Sequence, residues 1–239
     1  MGYCSRSQAA ALVRSRKVSV NGRIVTDPET PVDARRDRVE ISGSAIGTQP
    51  KTYLVMNKPR GVVTTASDEQ GRRTVYSLLP PEHGWVGPVG RLDKASEGLL
   101  LLTNDSNWAA RITDPATHLC KTYHVHIDRI ADREILAAIK RGVSDAGELL
   151  RVQSVRVLRT GQKNSWLEIV LDEGKNRHIR RLLAALAVGI LRLVRVSIGP
   201  LQLGDLKKGT VRQLDSDEKD ALDEALQINR PKKTAGACR

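Results

Sequence analysis

Phenylalanine is absent from this 239-residue chain, and three tryptophans and four tyrosines supply all its aromatic bulk. A core must therefore rest on leucine, valine and isoleucine. The three cysteines, Cys4, Cys120 and Cys238, lie far apart. No pair has metal-ligand spacing, and an odd count argues against a disulfide framework. The histidines form no metal motif; His124 and His126 sit two apart in a strand-like stretch. No apolar run reaches membrane-spanning length, no secretory leader is recognisable, and no basic amphipathic helix carries a bulky aromatic face. These absences set the expectation of a reduced, cytoplasmic protein without a membrane partner or a metal.

Positive charge is what the chain has in excess. Thirty-nine lysines and arginines outweigh 27 acidic residues, giving a formal net charge of +12 and a pI of about 10.0. That balance is the electrostatic footprint of a nucleic-acid partner. Apolar residues make up only 40% of the chain, but they are clustered and periodic, so folded structure in one or two domains is expected.

The first 45 residues read as a separate small module. No acidic residue precedes Asp27, whereas Arg6, Arg14, Arg16, Lys17 and Arg23 occur in the same stretch. Ser5 or Ser7 can cap a helix carrying Ala9, Leu12 and Val13. Val18 and Val20 alternate with polar residues, and Asn21-Gly22 then signals a two-residue hairpin turn. A second short strand is expected at 38–41. The small, polar stretch from Gly43 to Pro50 reads as linker-like, and with the module ending at 45 the linker is bounded at 46–50.

Beyond Lys51 the pattern is richer. A strand is expected over 52–57, followed by a turn at Lys58-Pro59-Arg60-Gly61. Gly98 to Thr103 is continuously apolar, which suits a strand covered on both faces. Asn104 or Asp105 can cap a helix holding Trp108, Ala109 and Ile112. Lys121 to Ile127 alternates, with Tyr123, Val125 and Ile127 on one face. Asp132 starts a helix through Ile135, Leu136 and Ile139 that closes at Gly142. Strands are expected at 152–158 and 166–171. Ile179, Leu182, Leu183 and Leu186 form a helical stripe, with Arg177, Arg180 and Arg181 off it. Two more strands, around 191–198 and 209–214, precede an acidic helix over 216–228 and a basic tail expected to be disordered. Irregular interleaving without a βαβ repeat predicts an α+β fold with a mixed sheet.

The words Cys4-Ser5-Arg6-Ser7-Gln8-Ala9 and Arg16-Lys17-Val18-Ser19-Val20-Asn21-Gly22-Arg23 resemble the αL-type RNA-binding domain named after ribosomal protein S-four. In that family another helical turn or two precedes this point, so the module is expected to be shortened, with a reduced core.

Four further words occur in one order: Met56-Asn57-Lys58-Pro59-Arg60-Gly61-Val62-Val63-Thr64, Gly90-Arg91-Leu92-Asp93, Lys121-Thr122-Tyr123, and Glu173-Gly174-Lys175-Asn176-Arg177-His178-Ile179-Arg180-Arg181. With Ile198-Gly199-Pro200-Leu201 and Gly209-Thr210-Val211-Arg212, they resemble the pseudouridine synthases, in the branch that modifies ribosomal RNA and carries the αL-type module. The resemblance implies a catalytic domain over 51–215, with a mainly antiparallel mixed sheet and flanking helices. It implies conversion of uridine to its isomer pseudouridine, a reaction needing no cofactor or metal. Ribosomal RNA, free or within an assembly intermediate, is the implied partner, and a monomer is expected.

Read alone, Asp93 is a turn aspartate and Tyr123 a core tyrosine on an alternating strand. The resemblance makes Asp93 the catalytic carboxylate, Tyr123 the active-site aromatic, and Arg180 the cation beside the aspartate. A carboxylate attacks a sugar carbon, or removes a sugar proton, only while ionised; a nearby cation favours that form. Arg91, Lys175, Arg177 and Arg181, with Arg14, Arg16, Lys17 and Arg23 of the first module, are expected to face RNA phosphates, which position RNA without reading its sequence; the alternatives are a loop-supporting hydrogen bond for Arg91 and a solvated charged surface for the others. The family commonly has glutamine at His178, so a hydrogen bond to substrate or loop is expected to differ there; Ser106 replaces a usual glycine. A competing reading, from charge and the shortened module, is a non-catalytic RNA-binding or ribosome-assembly protein.

Overall fold

A computed structural model describes residues 2–228 apart from Ala34, Thr48 and Ser67. The tail beyond Ile228, with Cys238, lies outside the described residues.

Helix α1 (Arg6–Arg14) starts at Ser5, which forms a capping box with Gln8. Strands β1 (Val18–Val20) and β2 (Arg23–Ile24) are joined by Asn21 and Gly22, at φ 51° and 79°. Positive φ at both positions makes the primed turn that matches strand twist. β3 (Val39–Ile41) and β4 (Ser44–Ala45) repeat the device through Ser42-Gly43. The expected linker therefore begins later than the sequence suggested. Its first small polar residues form an edge strand, because Ser42-Gly43 is a hairpin turn rather than a spacer. The sheet order is β2-β1-β3-β4. Val18 and Val39 are the only buried apolar residues described in this module, so its core is small.

The remaining residues build one mixed sheet. Its strands are β5 (Tyr53–Lys58), β6 (Gly87–Val89), β7 (Glu97–Thr103), β8 (Lys121–Ile127), β11 (Ser154–Thr160), β12 (Ser165–Leu171), β13 (Ile190–Ile198), β14 (Leu201–Gln202) and β15 (Val211–Gln213). A separate hairpin, β9 (Val143–Asp145) and β10 (Glu148–Leu150), turns through Ala146-Gly147 and was not foreseen. The helices are α2 (Ser106–Thr113), α3 (Arg133–Arg141), α4 (His178–Ala185) and α5 (Ser216–Ile228). Caps at Asp105 and Asp132 and the stop at Gly142 match expectation.

The order is β11-β12-β8-β13-β7-β5-β15, antiparallel throughout except where β13 runs parallel to β7. Every residue of β7 is buried. Leu99 and Leu101 pack with Trp108 and Ile112 of α2 and Leu222 and Leu226 of α5. Leu100 and Leu102 pack with Leu54, Met56 and Val75 on the other face. Helix α5 is thus packed into the body of the large sheet rather than being an appendage: Leu222 and Leu226 fall one turn apart, and Asp223 accepts from the Trp108 indole at 2.8 Å. A third cluster joins β8, β12, α3 and α4.

One feature of this sheet positions the site. β6 and β13 share one edge of β7: β6 pairs with 101–103, β13 with 97–98. The loop 90–96 emerges where one neighbour gives way to the other. At that crossing Gly98 has φ +103°, and a Cβ there would lie 2.2 Å from the Arg195 carbonyl oxygen. Only glycine fits. Among the described residues, no helix is long and apolar enough to cross a membrane.

Candidate active site

The loop carrying Asp93 is tied down by its backbone. The Thr64 hydroxyl donates to the Leu92 carbonyl at 2.8 Å and accepts from the Leu92 amide at 3.3 Å. The Lys58 ammonium, wholly buried at the end of β5, donates to the carbonyls of Pro59, Asp93 and Ser96 at 3.2, 3.0 and 2.8 Å. Those three bonds use its full donor set. Burial pulls Lys58 down to about 8, against the opposing pull of Asp93 and Glu97, so it keeps its proton at neutral pH. The next residue, Glu97, is also buried. Burial alone would raise it, but Arg192, bonded through two nitrogens at 2.8 and 3.0 Å, and Lys208 hold it below its ordinary value.

Arg180 reaches the loop from the first turn of α4. Its Nε donates to Asp93 Oδ2 at 3.2 Å and its Nη2 to Ser96 Oγ at 3.0 Å. One guanidinium therefore fixes both the carboxylate and the turn behind it. Burial lowers Arg180 from its ordinary value and the adjacent Asp93 works against that shift. The Asp93 side chain stays 36% exposed, open to a cleft of about 460 Å³. Tyr123, half-buried on β8, lines the same cleft, as do Arg91, Lys175 and Arg177.

The expected cations divide on inspection. Arg91 and Arg177 are exposed at the cleft. Lys175 also lines it, but donates to the Leu149 carbonyl at 2.8 Å and pairs with Glu173 at 3.0 Å. Arg181 is a correction. Rather than facing a phosphate, it is held by Asp145 at 2.5 Å and Glu148 at 2.6 Å, clamping α4 to the β9–β10 hairpin. An acidic hairpin invisible to local pattern has taken its charge. Arg14, Arg16, Lys17 and Arg23 are exposed on the N-terminal module and do not line the cleft.

Four residues the sequence quoted without a role, or passed over, belong to the site. Lys58 carried a signal: a charged residue closing a buried strand whose first four residues are apolar. Lys121 falls two before Tyr123, on the same face of β8. Arg195 follows buried Leu193 by two positions, on the same face of β13. His178 lies in the first turn of α4 and is buried, and neither ring nitrogen finds a partner. The Glu173 carboxylate stands 3.8 Å away. Burial lowers the imidazole below its ordinary value, so it is neutral at pH 7. Among the described residues, no group of histidine, cysteine and carboxylate side chains is placed to hold a metal ion.

Comparison with known proteins places this cleft in a family. The profile described as RNA pseudouridylate synthase matches residues 52–185, and that of the S4 domain matches residues 1–39. An uncharacterised RNA pseudouridine synthase of Aquifex aeolicus is 35% identical over 95% of this chain and 92% of its own length. Ribosomal large subunit pseudouridine synthase B of Bacillus subtilis is 32% identical over 89% of this chain and 88% of its own. A crystal structure of a pseudouridylate synthase superposes with a TM-score of 0.66 at 29% identity, covering 91% of this chain and 94% of the other. The chain belongs to the RNA pseudouridine synthases, isomerases of uridine in RNA, and carries an S4 domain ahead of the pseudouridine synthase fold.

Proposed function

We propose that this enzyme converts a specific uridine of ribosomal RNA to pseudouridine, with Asp93 as the catalytic carboxylate. The observation that carries the reading is the Asp93–Arg180 pair, set on a clamped loop in the cleft that Tyr123 lines. The ribosomal substrate is supported by the name of the Bacillus subtilis relative. Residues 1–45 serve as the RNA-binding module and 51–215, with α5 packed on them, as the catalytic body.

The chemistry follows from the groups present. The C1′–N1 bond breaks and its electron pair leaves with the uracil. Asp93 either adds to C1′ or takes a proton from the sugar. The uracil turns while held against the Tyr123 face, since an unstacked base needs an aromatic surface to replace its neighbours. C5 then bonds to C1′, losing its proton as N1 gains one, and the sugar regains its original form. Nothing is oxidised and no atom is transferred between molecules. Arg180 holds and aims the Asp93 carboxylate. Arg91 and Arg177, with the exposed cations of the first module, hold phosphates around the target.

The decisive experiment incubates the protein with unmodified ribosomal RNA, as free fragments and as assembly intermediates, and maps pseudouridine. One site should be modified, and Asp93→Asn should modify none while still binding RNA. Wild-type inactivity on every ribosomal substrate sinks the proposal; an active Asp93→Asn removes the aspartate from the mechanism.

A further inference from the structure

The cations that line the cleft differ in what they touch. Arg180 pairs with Asp93, and Lys175 with Glu173. Arg91 and Arg177 stand exposed, where a phosphate keeps much of its hydration. Lys121 and Arg195 are different: they lie inside. Arg195 is 5% exposed; its Nε donates to the Leu99 carbonyl at 2.7 Å, and its Nη2 is buried with no partner. Lys121 is half-buried, and burial followed by the neighbouring Arg195 lowers it. Among the described residues neither makes an ion pair with a carboxylate.

Register explains how they meet. Arg195 lies directly opposite Tyr123 across the β13–β8 ladder. Successive residues of a strand alternate faces, so Lys121 and Tyr123 share one face of β8. A bulge between Arg195 and Ser197 falls at this point. Bulges re-aim side chains and recur next to active sites. The tyrosine ring is therefore flanked on one sheet face by two cations, one along its own strand and one across. A buried guanidinium nitrogen without an acceptor is costly unless something else accepts from it.

We infer that Lys121 and Arg195 grip the carbonyl edge of the uracil ring and stabilise the negative charge it acquires when the glycosidic bond breaks. The inference rests on the reading of Tyr123 as the surface that holds the base. Heterolysis sends the C1′–N1 electron pair into the ring, where it spreads onto O2 and O4. The sugar carbon is compensated by Asp93, and the charge on the ring is discharged when C5 bonds to C1′ and the proton lost from C5 is balanced by one gained at N1. Fixed donors aimed at developing charge in a water-poor site act on the transition state more than on the ground state. The interior position favours a base carbonyl over a phosphate, whose charge and hydration suit the exposed arginines.

The test uses the full chain and a ribosomal RNA fragment containing the target uridine. Lys121→Met should lower the single-turnover rate about 100-fold, the cost typical of removing one such donor. Its Kd for the RNA should stay within about twofold of the wild type, and Lys121→Arg, which keeps the charge, should recover most of the rate. Arg195→Lys should behave as a partial loss; if it does not fold, the Lys121 variants decide alone. An unchanged rate in Lys121→Met overturns the inference. So does a weaker Kd with a salt slope reduced by about one and a normal rate, the signature of a phosphate contact. Equal losses in Lys121→Met and Lys121→Arg reduce the residue to packing and overturn it as well. A wild type inactive on ribosomal RNA refutes only the substrate reading above. The same variants are then scored on transfer RNA, because the bond cleavage places the same charge on any uridine.

Discussion

Arg180→Met isolates one role cleanly. The substitution removes the bonds to Asp93 Oδ2 and Ser96 Oγ, at 3.2 and 3.0 Å, and leaves a side chain of similar length on α4. The backbone of the loop is held elsewhere, by Lys58 and Thr64, so the carboxylate loses its aim without the loop losing its place. Asp93 is 36% exposed, so solvent screens the pair and its share of global stability is at most about 1 kcal/mol. Its share of the rate is larger. A charge-assisted hydrogen bond is worth roughly 1.5–3 kcal/mol, or one to two decades, and a reacting group displaced by about 1 Å loses about 100-fold. The expected result is a single-turnover rate about 100-fold below wild type, with urea stability nearly unchanged. Arg180→Lys keeps the charge but not the fork, and should fall between. Pseudouridine is read by carbodiimide modification and primer extension under enzyme excess. A rate within threefold of wild type refutes the argument. A loss of several kcal/mol in stability refutes it differently, by showing that the pair holds the fold.

Lys58 gives a signature in pH. Burial lowers it to about 8 from 10.5, so between those values the unfolded chain holds a proton that the folded protein has released. Stability from this group therefore rises with pH across that window, by about 3 kcal/mol, and urea melts of Lys58→Met should lack that rise relative to wild type. Arg181→Ala should lower stability, because it frees Asp145 and Glu148, while leaving the salt slope of RNA binding unchanged; Arg177→Ala should reduce that slope by about one and leave stability nearly unchanged. Gly98→Ala should cost about 3 kcal/mol or more, since its Cβ would collide with the Arg195 backbone, and a soluble, fully stable variant would contradict the described crossing.

Local rules carried much of the fold. The caps at Ser5, Asp105 and Asp132, the Asn21-Gly22 turn, the buried run of β7 and the stripe of α4 each follow from a few adjacent residues, and each is found. What local pattern missed depended on a weaker turn signal or on distance. Ser42-Gly43 and Ala146-Gly147 close hairpins although serine and alanine rarely adopt positive φ, and the hairpin at Ala146 then claimed Arg181. The meeting of Asp93 with Arg180 spans 87 positions. No spacing rule delivers it; the resemblance implies the pair, and the fold brings the two side chains together. Neither source gave Lys58 a role; it holds carbonyls of the Asp93 loop.

A net charge of +12 says that RNA is attracted, but not which cation touches it. Arg177 and Arg181 differ by four positions, the first at the left-handed N-cap of α4 and the second within the helix. Yet Arg177 is exposed at the cleft, whereas Arg181 is neutralised by two carboxylates. The quantity that separates them is the partner already present. An arginine bonded to carboxylates must give up those bonds before it binds a phosphate, so it adds little net affinity. An exposed, unpaired arginine has only water to give up. A buried, unpaired one has less still, because its desolvation was completed on folding. By that ordering Arg195 and Lys121, inconspicuous in the sequence, are better placed to act on a bound base than the arginine-rich helix start that first drew notice.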